Sequence, residues 1–167
     1  MLELKPLSRE GIPGALARVE RYRLLNEPEQ AESICQDILR SDPENQEALI
    51  GLLLAITDQF SHGAGPRVAE ARDLLPRLHS PYDRHYYAGI ISERRARAFV
   101  NHGSPGTGVL AWEWFRQAMN SYEKAEAIRP TGNDDSILRW NTCARFLNRH
   151  PHLAPSPEAN LELLMLE

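Results

Sequence analysis

The chain is short of cysteine, of long apolar runs and of positive charge, and each shortage removes a class of protein. Two cysteines in 167 residues, Cys35 and Cys143, cannot build a disulfide framework. Both lie in helical patterns beside apolar neighbours, so two buried thiols are expected. The longest apolar run, Leu52 to Ile56, is far too short to cross a bilayer. The first ten residues, MLELKPLSRE, have no long apolar stretch after a basic start and do not read as a signal peptide. A net charge of −4 offers no general basic field to nucleic acid or to an anionic membrane. These features together lead us to expect a cytoplasmic protein that binds neither.

Signs of catalysis are equally thin. Serine, histidine and acidic residues are present, but no sharp strand-to-helix turn exposes a nucleophile. The six histidines are scattered, and His150 and His152 around Pro151 do not have a metal-ligand spacing. The stretch Gly103-Ser-Pro-Gly-Thr-Gly108 precedes a helix, as phosphate loops do. No strand leads into it, however, and no Lys-Ser or Lys-Thr follows. It reads as a flexible connection. No enzymatic activity, cofactor or metal is expected.

What the chain does have is apolar residues at helical spacing, with no competing strand pattern. Seven helices are expected. The first covers about 8–25, with Leu16, Val19, Tyr22 and Leu25 in step, and Asn26 can close it in a left-handed conformation. The second runs from Pro28, which a first turn accepts, to Arg40. Asp42 is a natural cap and Pro43 a natural first residue for the third, which runs to Phe60. The fourth covers 67–78, with Pro76 expected to kink or shorten it. The fifth (81–100) and sixth (109–128) flank the loop at 101–108, and the seventh spans 134–148. Three prolines then mark an irregular tail, 149–167, whose Leu161, Leu163, Leu164 and Met165 suit a short amphipathic turn or a frayed end.

One spacing occurs twice. Ala31, Cys35, Ile38 and Pro43 lie four, three and five residues apart, and Ala118, Tyr122, Ala125 and Pro130 repeat those steps. Ala71, Leu75 and Leu78 carry the first two steps only. Steps of four and three place side chains on one stripe of a helix, and the proline ends it. These residues resemble the second helix of the tetratricopeptide repeat, a helix-turn-helix unit of about 34 residues. Tyr22 and Asn26 also match its aromatic and turn positions. The copies are 40 and 47 residues apart, so the hairpins carry extra length at 61–66 and 101–108.

The resemblance implies an all-α, right-handed array of about three antiparallel hairpins, a TPR-like α-solenoid. The hairpins would be 8–41, 43–79 and 81–129, with a capping helix at 134–148 completing a repeat domain over 1–148. It also implies a concave face lined by the first helix of each hairpin. Carried over by position, that face holds Leu16, Glu20 and Arg23, then Glu47, Ile50, Leu54 and Asp58, then His85, Tyr86 and Arg94. A groove of mixed charge and apolar character suits a peptide or a segment of another protein. The plainer alternative is that these side chains only cover the inner surface or pack a neighbouring helix.

Two clusters stand beside that face. Glu93-Arg94-Arg95-Ala96-Arg97 could grip an anion, but a solvated helix face with Glu93 pairing Arg97 is the simpler expectation. Trp112, Phe115 and Tyr122 share helical spacing and suit a core. Trp114 points elsewhere, either packing on the fifth helix or serving as a partner anchor. The expected role is a non-catalytic adaptor or scaffold. The alternative is a structural subunit that self-associates, or joins an assembly, through the aromatic C-terminal hairpin and tail.

Overall fold

The computed structural model describes residues 2–62, 65–104 and 106–155. Among them are seven α-helices and no strand: α1 (Ile12–Leu24), α2 (Pro28–Ser41), α3 (Gln46–Asp58), α4 (Gly65–Asp73), α5 (Pro81–His102), α6 (Thr107–Ala127) and α7 (Asp135–Arg149). The leucines expected to form an amphipathic turn in the tail lie outside the described residues. The chain divides into two compact units, Met1–Ser80 and Pro81–Glu167.

Local chemistry explains most helix ends. Pro28 occupies the first turn of α2, and Asn26 takes φ 58°, closing α1 as expected. Ser8 caps a 3-10 turn at Arg9–Gly11, so the α-helix proper begins only at Ile12. The start of α3 differs from expectation. Its cap is Asn45, whose Oδ1 accepts the Ala48 N–H at 3.0 Å, and Asp42 and Pro43 lie in the preceding turn. Asn45 itself is held by its Nδ2, which donates to Asp42 Oδ2 at 2.9 Å. Pro76 stops α4 at Asp73, and the chain continues as a 3-10 turn, Leu75–Arg77. The loop between α5 and α6 is shorter than the sequence suggests, because α5 takes in His102 and α6 begins at Thr107. Gly106 makes that start by adopting φ 82°.

In the first unit α1 packs on α2, α2 on α3, and α3 on both α1 and α4. The connection between α1 and α2 is only residues 25–27, so the two helices form a hairpin. Ala31, Cys35 and Ile38 are fully buried on α2. Burying an isoleucine such as Ile38 is worth about 2 kcal/mol. The degenerate copy is also buried at Ala71 and Leu78, but Leu74 replaces Leu75 as the inner residue between them. The cause is the 3-10 turn, which changes the angle between successive side chains beyond Asp73.

In the second unit α6 packs against α5 and α7. Ala118, Tyr122 and Ala125 are fully buried, as is Phe115. Trp112 and Trp114 are half-buried. Gly89 on α5 makes room for the Tyr122 ring: a Cβ there would lie 2.6 Å from Tyr122 Cδ1 and 2.8 Å from Cζ. Cys35 and Cys143 are free and buried, one in each unit, and burial pushes both thiols up to about 12.

Candidate partner-binding site

Helix α1 has a buried stripe and a second stripe beside it. Ile12, Ala15 and Val19 form the buried one. Leu16, Glu20 and Arg23, again at steps of four and three, form the second, with Leu16 and Arg23 half-buried and Glu20 exposed. Helix α3 divides in the same way. Leu49, Leu52, Leu53 and Ile56 are buried, and Glu47, Ile50, Leu54 and Asp58 run along the adjoining stripe.

The two outer stripes meet in a groove of about 560 Å³. Its walls include Leu16, Glu20, Arg23, Glu47 and Ile50, all expected from the sequence. Leu54 lies between Ile50 and Asp58 on the same stripe of α3, outside the walls of this groove. Four further wall residues, Pro13, Ala17, Val19 and Gly51, were not expected on this face. Gly51 had a legible signal, a glycine inside an apolar helix, which costs about 1 kcal/mol there and calls for a packing reason. The reason is contact. A Cβ at Gly51 would lie 3.0 Å from Val19 Cγ1 and 3.1 Å from Cys35 Sγ.

Arg23 and Asp58 close the far end of the groove together. Arg23 Nε donates to Asp58 Oδ2 at 2.7 Å, and the two side chains are 22 % and 24 % exposed. Beyond this pair lie two smaller depressions of about 260 and 340 Å³. The first shares Glu20 and Arg23 with the groove; the second shares Asn26, Pro28 and Asp58 with the first. The three therefore follow one another along the seam from α1 to the start of α2.

The residues expected on α5 and α6 have a different setting. Tyr86 belongs to a packed aromatic cluster. Its ring lies 5.8 Å from that of Tyr82, 5.1 Å from Tyr87 and 5.9 Å from Tyr122. Burial raises the Tyr86 hydroxyl pKa, and Arg139 hydrogen-bonds to it. His85, Arg94 and Trp114 are half-buried. None of these four belongs to the unit that holds the groove.

Next to Tyr86, the Glu93–Arg97 segment departs from the expected solvated face. Arg97 does pair with Glu93, at 3.0 Å from Nη2 and 3.1 Å from Nε. Glu93, however, is only 2 % exposed. Tyr122 donates its hydroxyl to Glu93 Oε2 at 2.9 Å, and Arg139 Nη1 lies 3.7 Å from Oε1. A buried carboxylate needs such partners. Burial raises the Tyr122 pKa, and the neighbouring Glu93 carboxylate raises it further. Arg97 also lies over Phe115 and Phe146, at 5.7 and 5.4 Å. This network was not legible in the sequence, because Tyr122 and Arg139 are far from Glu93 in the chain. Its carboxylate and phenol are sealed from solvent, so the network ties α5, α6 and α7 together rather than offering a reactive group.

One histidine is likewise committed to structure. His150 donates from Nδ1 to the Phe146 carbonyl at 2.8 Å and stacks on the Phe146 ring at 4.2 Å. No helix among the described residues is long and apolar enough to cross a membrane. No family model matches the chain, and neither a curated protein nor a solved structure matches it.

Proposed function

We propose that the chain is a non-catalytic protein-binding module of tetratricopeptide-like hairpins, which holds a segment of a partner protein in the groove between α1 and α3. The observation that carries this reading is the groove itself. Residues from two helices, distant in sequence, converge on one open cleft with half-buried Leu16 and Ile50 in its walls. Such a cleft suits a few apolar anchors, with flanking charges setting orientation. Hairpins of the kind that stack into an α-solenoid are supported by the complete burial of both repeat stripes. Two free, buried thiols fit a reducing compartment such as the cytoplasm.

The test is a selection of binding peptides from a random display library on the immobilised full chain. The selected peptides are then measured against Ile50→Asp, with circular dichroism confirming that the variant is folded. Loss of most of the binding supports the groove. Undiminished binding of every selected peptide rejects it and moves the site to the loops or to the second unit.

A second reading is association through the second unit, as a structural subunit. It draws support from exposed apolar side chains there, Leu138 at 61 % and Ile128 at 49 %. Sedimentation equilibrium separates the two readings, since a monomer at all concentrations rejects self-association.

A further inference from the structure

The charges around the groove identify the kind of segment that fits it. Five carboxylates line the groove and the two depressions beyond it: Glu20, Glu27, Glu29, Glu47 and Asp58. One cation, Arg23, lines them, and it is already paired with Asp58. The four glutamates are exposed and have no cationic partner among the described residues. The cleft is thus apolar along Leu16, Ala17 and Ile50, with uncompensated negative charge at its edges and its far end. Charge of one sign over an open cleft raises the local concentration of the opposite sign and repels its own.

We propose that the occupant is a basic amphipathic helix of another protein, with aliphatic residues facing Leu16 and Ile50 and lysines or arginines facing the glutamates. This rests on the groove being the docking site. The seam along α1 is about 20 Å long, the length of a helix of about 13 residues. An anionic occupant is disfavoured. That includes this chain's own residues 156–167, which carry Glu158, Glu162 and Glu167 and no lysine or arginine. Nucleic acid and anionic lipid are disfavoured on the same ground.

The experiment titrates the isotope-labelled full chain with two synthetic peptides and follows the amide resonances. One is an amphipathic leucine–lysine helix of about 14 residues; the other has every lysine replaced by glutamate. The expected result is shifts confined to α1, α3, the 25–27 connection and the first turn of α2 with the lysine peptide, and binding at least about tenfold weaker with the glutamate peptide. Raising the salt concentration should weaken the lysine peptide. Glu20→Lys combined with Glu47→Lys should weaken it about tenfold. Both positions are exposed, and the two peptides on the unaltered protein give the answer even if that variant misfolds. Equal or tighter binding of the glutamate peptide at the same amides overturns the charge assignment and leaves the groove standing. Lysine-peptide shifts elsewhere, or none with either peptide, overturn both.

Discussion

The guanidinium of Arg23 lies 2.7 Å from the Asp58 carboxylate and joins the last turn of α1 to the last residue of α3. Both residues were expected to meet a partner's charges, yet each finds its counter-ion in the other. They hold the groove's end in shape and leave its unbalanced charge to the glutamates.

That pairing makes a quantitative prediction. The pair is about a quarter exposed, so its contribution is modest. Arg23→Ala and Asp58→Ala should each cost about 1 kcal/mol, with a coupling of about 0.5 kcal/mol in a double-mutant cycle by urea unfolding. A coupling of zero would mean that the bridge contributes nothing.

The approach of α5 to α6 depends on Gly89 having no side chain. Gly89→Ala should destabilise the chain by about 1–3 kcal/mol, since its methyl group would press on the buried Tyr122 ring. Tyr122→Phe should cost a similar amount for another reason, because Glu93 loses a hydrogen-bond donor while staying buried. Urea midpoints measure both. Unchanged midpoints would contradict this packing.

Alkaline pH should unfold the chain progressively. The ordinary thiol value of 9.0 applies to the unfolded chain, whereas burial holds Cys35 and Cys143 at about 12 in the folded one. Above pH 9 the unfolded state therefore loses thiol protons that the folded state keeps. Stability from this source is complete below about pH 9 and is lost as pH rises towards about 12. The slope is at most about 1.4 kcal/mol per pH unit for each thiol. Urea unfolding at about pH 8 and about pH 10.5 measures the decline. Cys35→Ala with Cys143→Ala should remove most of it, leaving the part due to the buried Tyr86 and Tyr122 hydroxyls, and an equal decline in that variant would refute the thiol origin.

Features set by neighbouring residues were legible in the sequence. Pro28, Asn26 and Pro76 act on their own stretch of backbone, and all three did what their chemistry dictates. The buried stripes of α2 and α6 followed from spacing alone, whereas that of α4 did not at Leu75. At the start of α3 the cap is Asn45 rather than the expected Asp42, and Asp42 instead accepts a bond from the Asn45 side chain. The groove's outer stripes were legible as helical faces. Their meeting was not, because it depends on how closely α3 approaches α1, and that distance is set at Gly51 by Val19 and Cys35. Glu93 misled for a similar reason. In the chain its neighbours are arginines, whereas in space its partners include Tyr122 and Arg139.

Photo-crosslinking tests the groove most directly. A benzoylphenylalanine is placed at Ala17, an exposed residue of the groove wall, or at Gln36, an exposed residue of α2 outside it. Each protein is irradiated with a peptide selected for binding to the unaltered chain. Docking between α1 and α3 predicts a crosslinked band from position 17 and none from position 36. A band from position 36 alone, or equal bands from both, would contradict it.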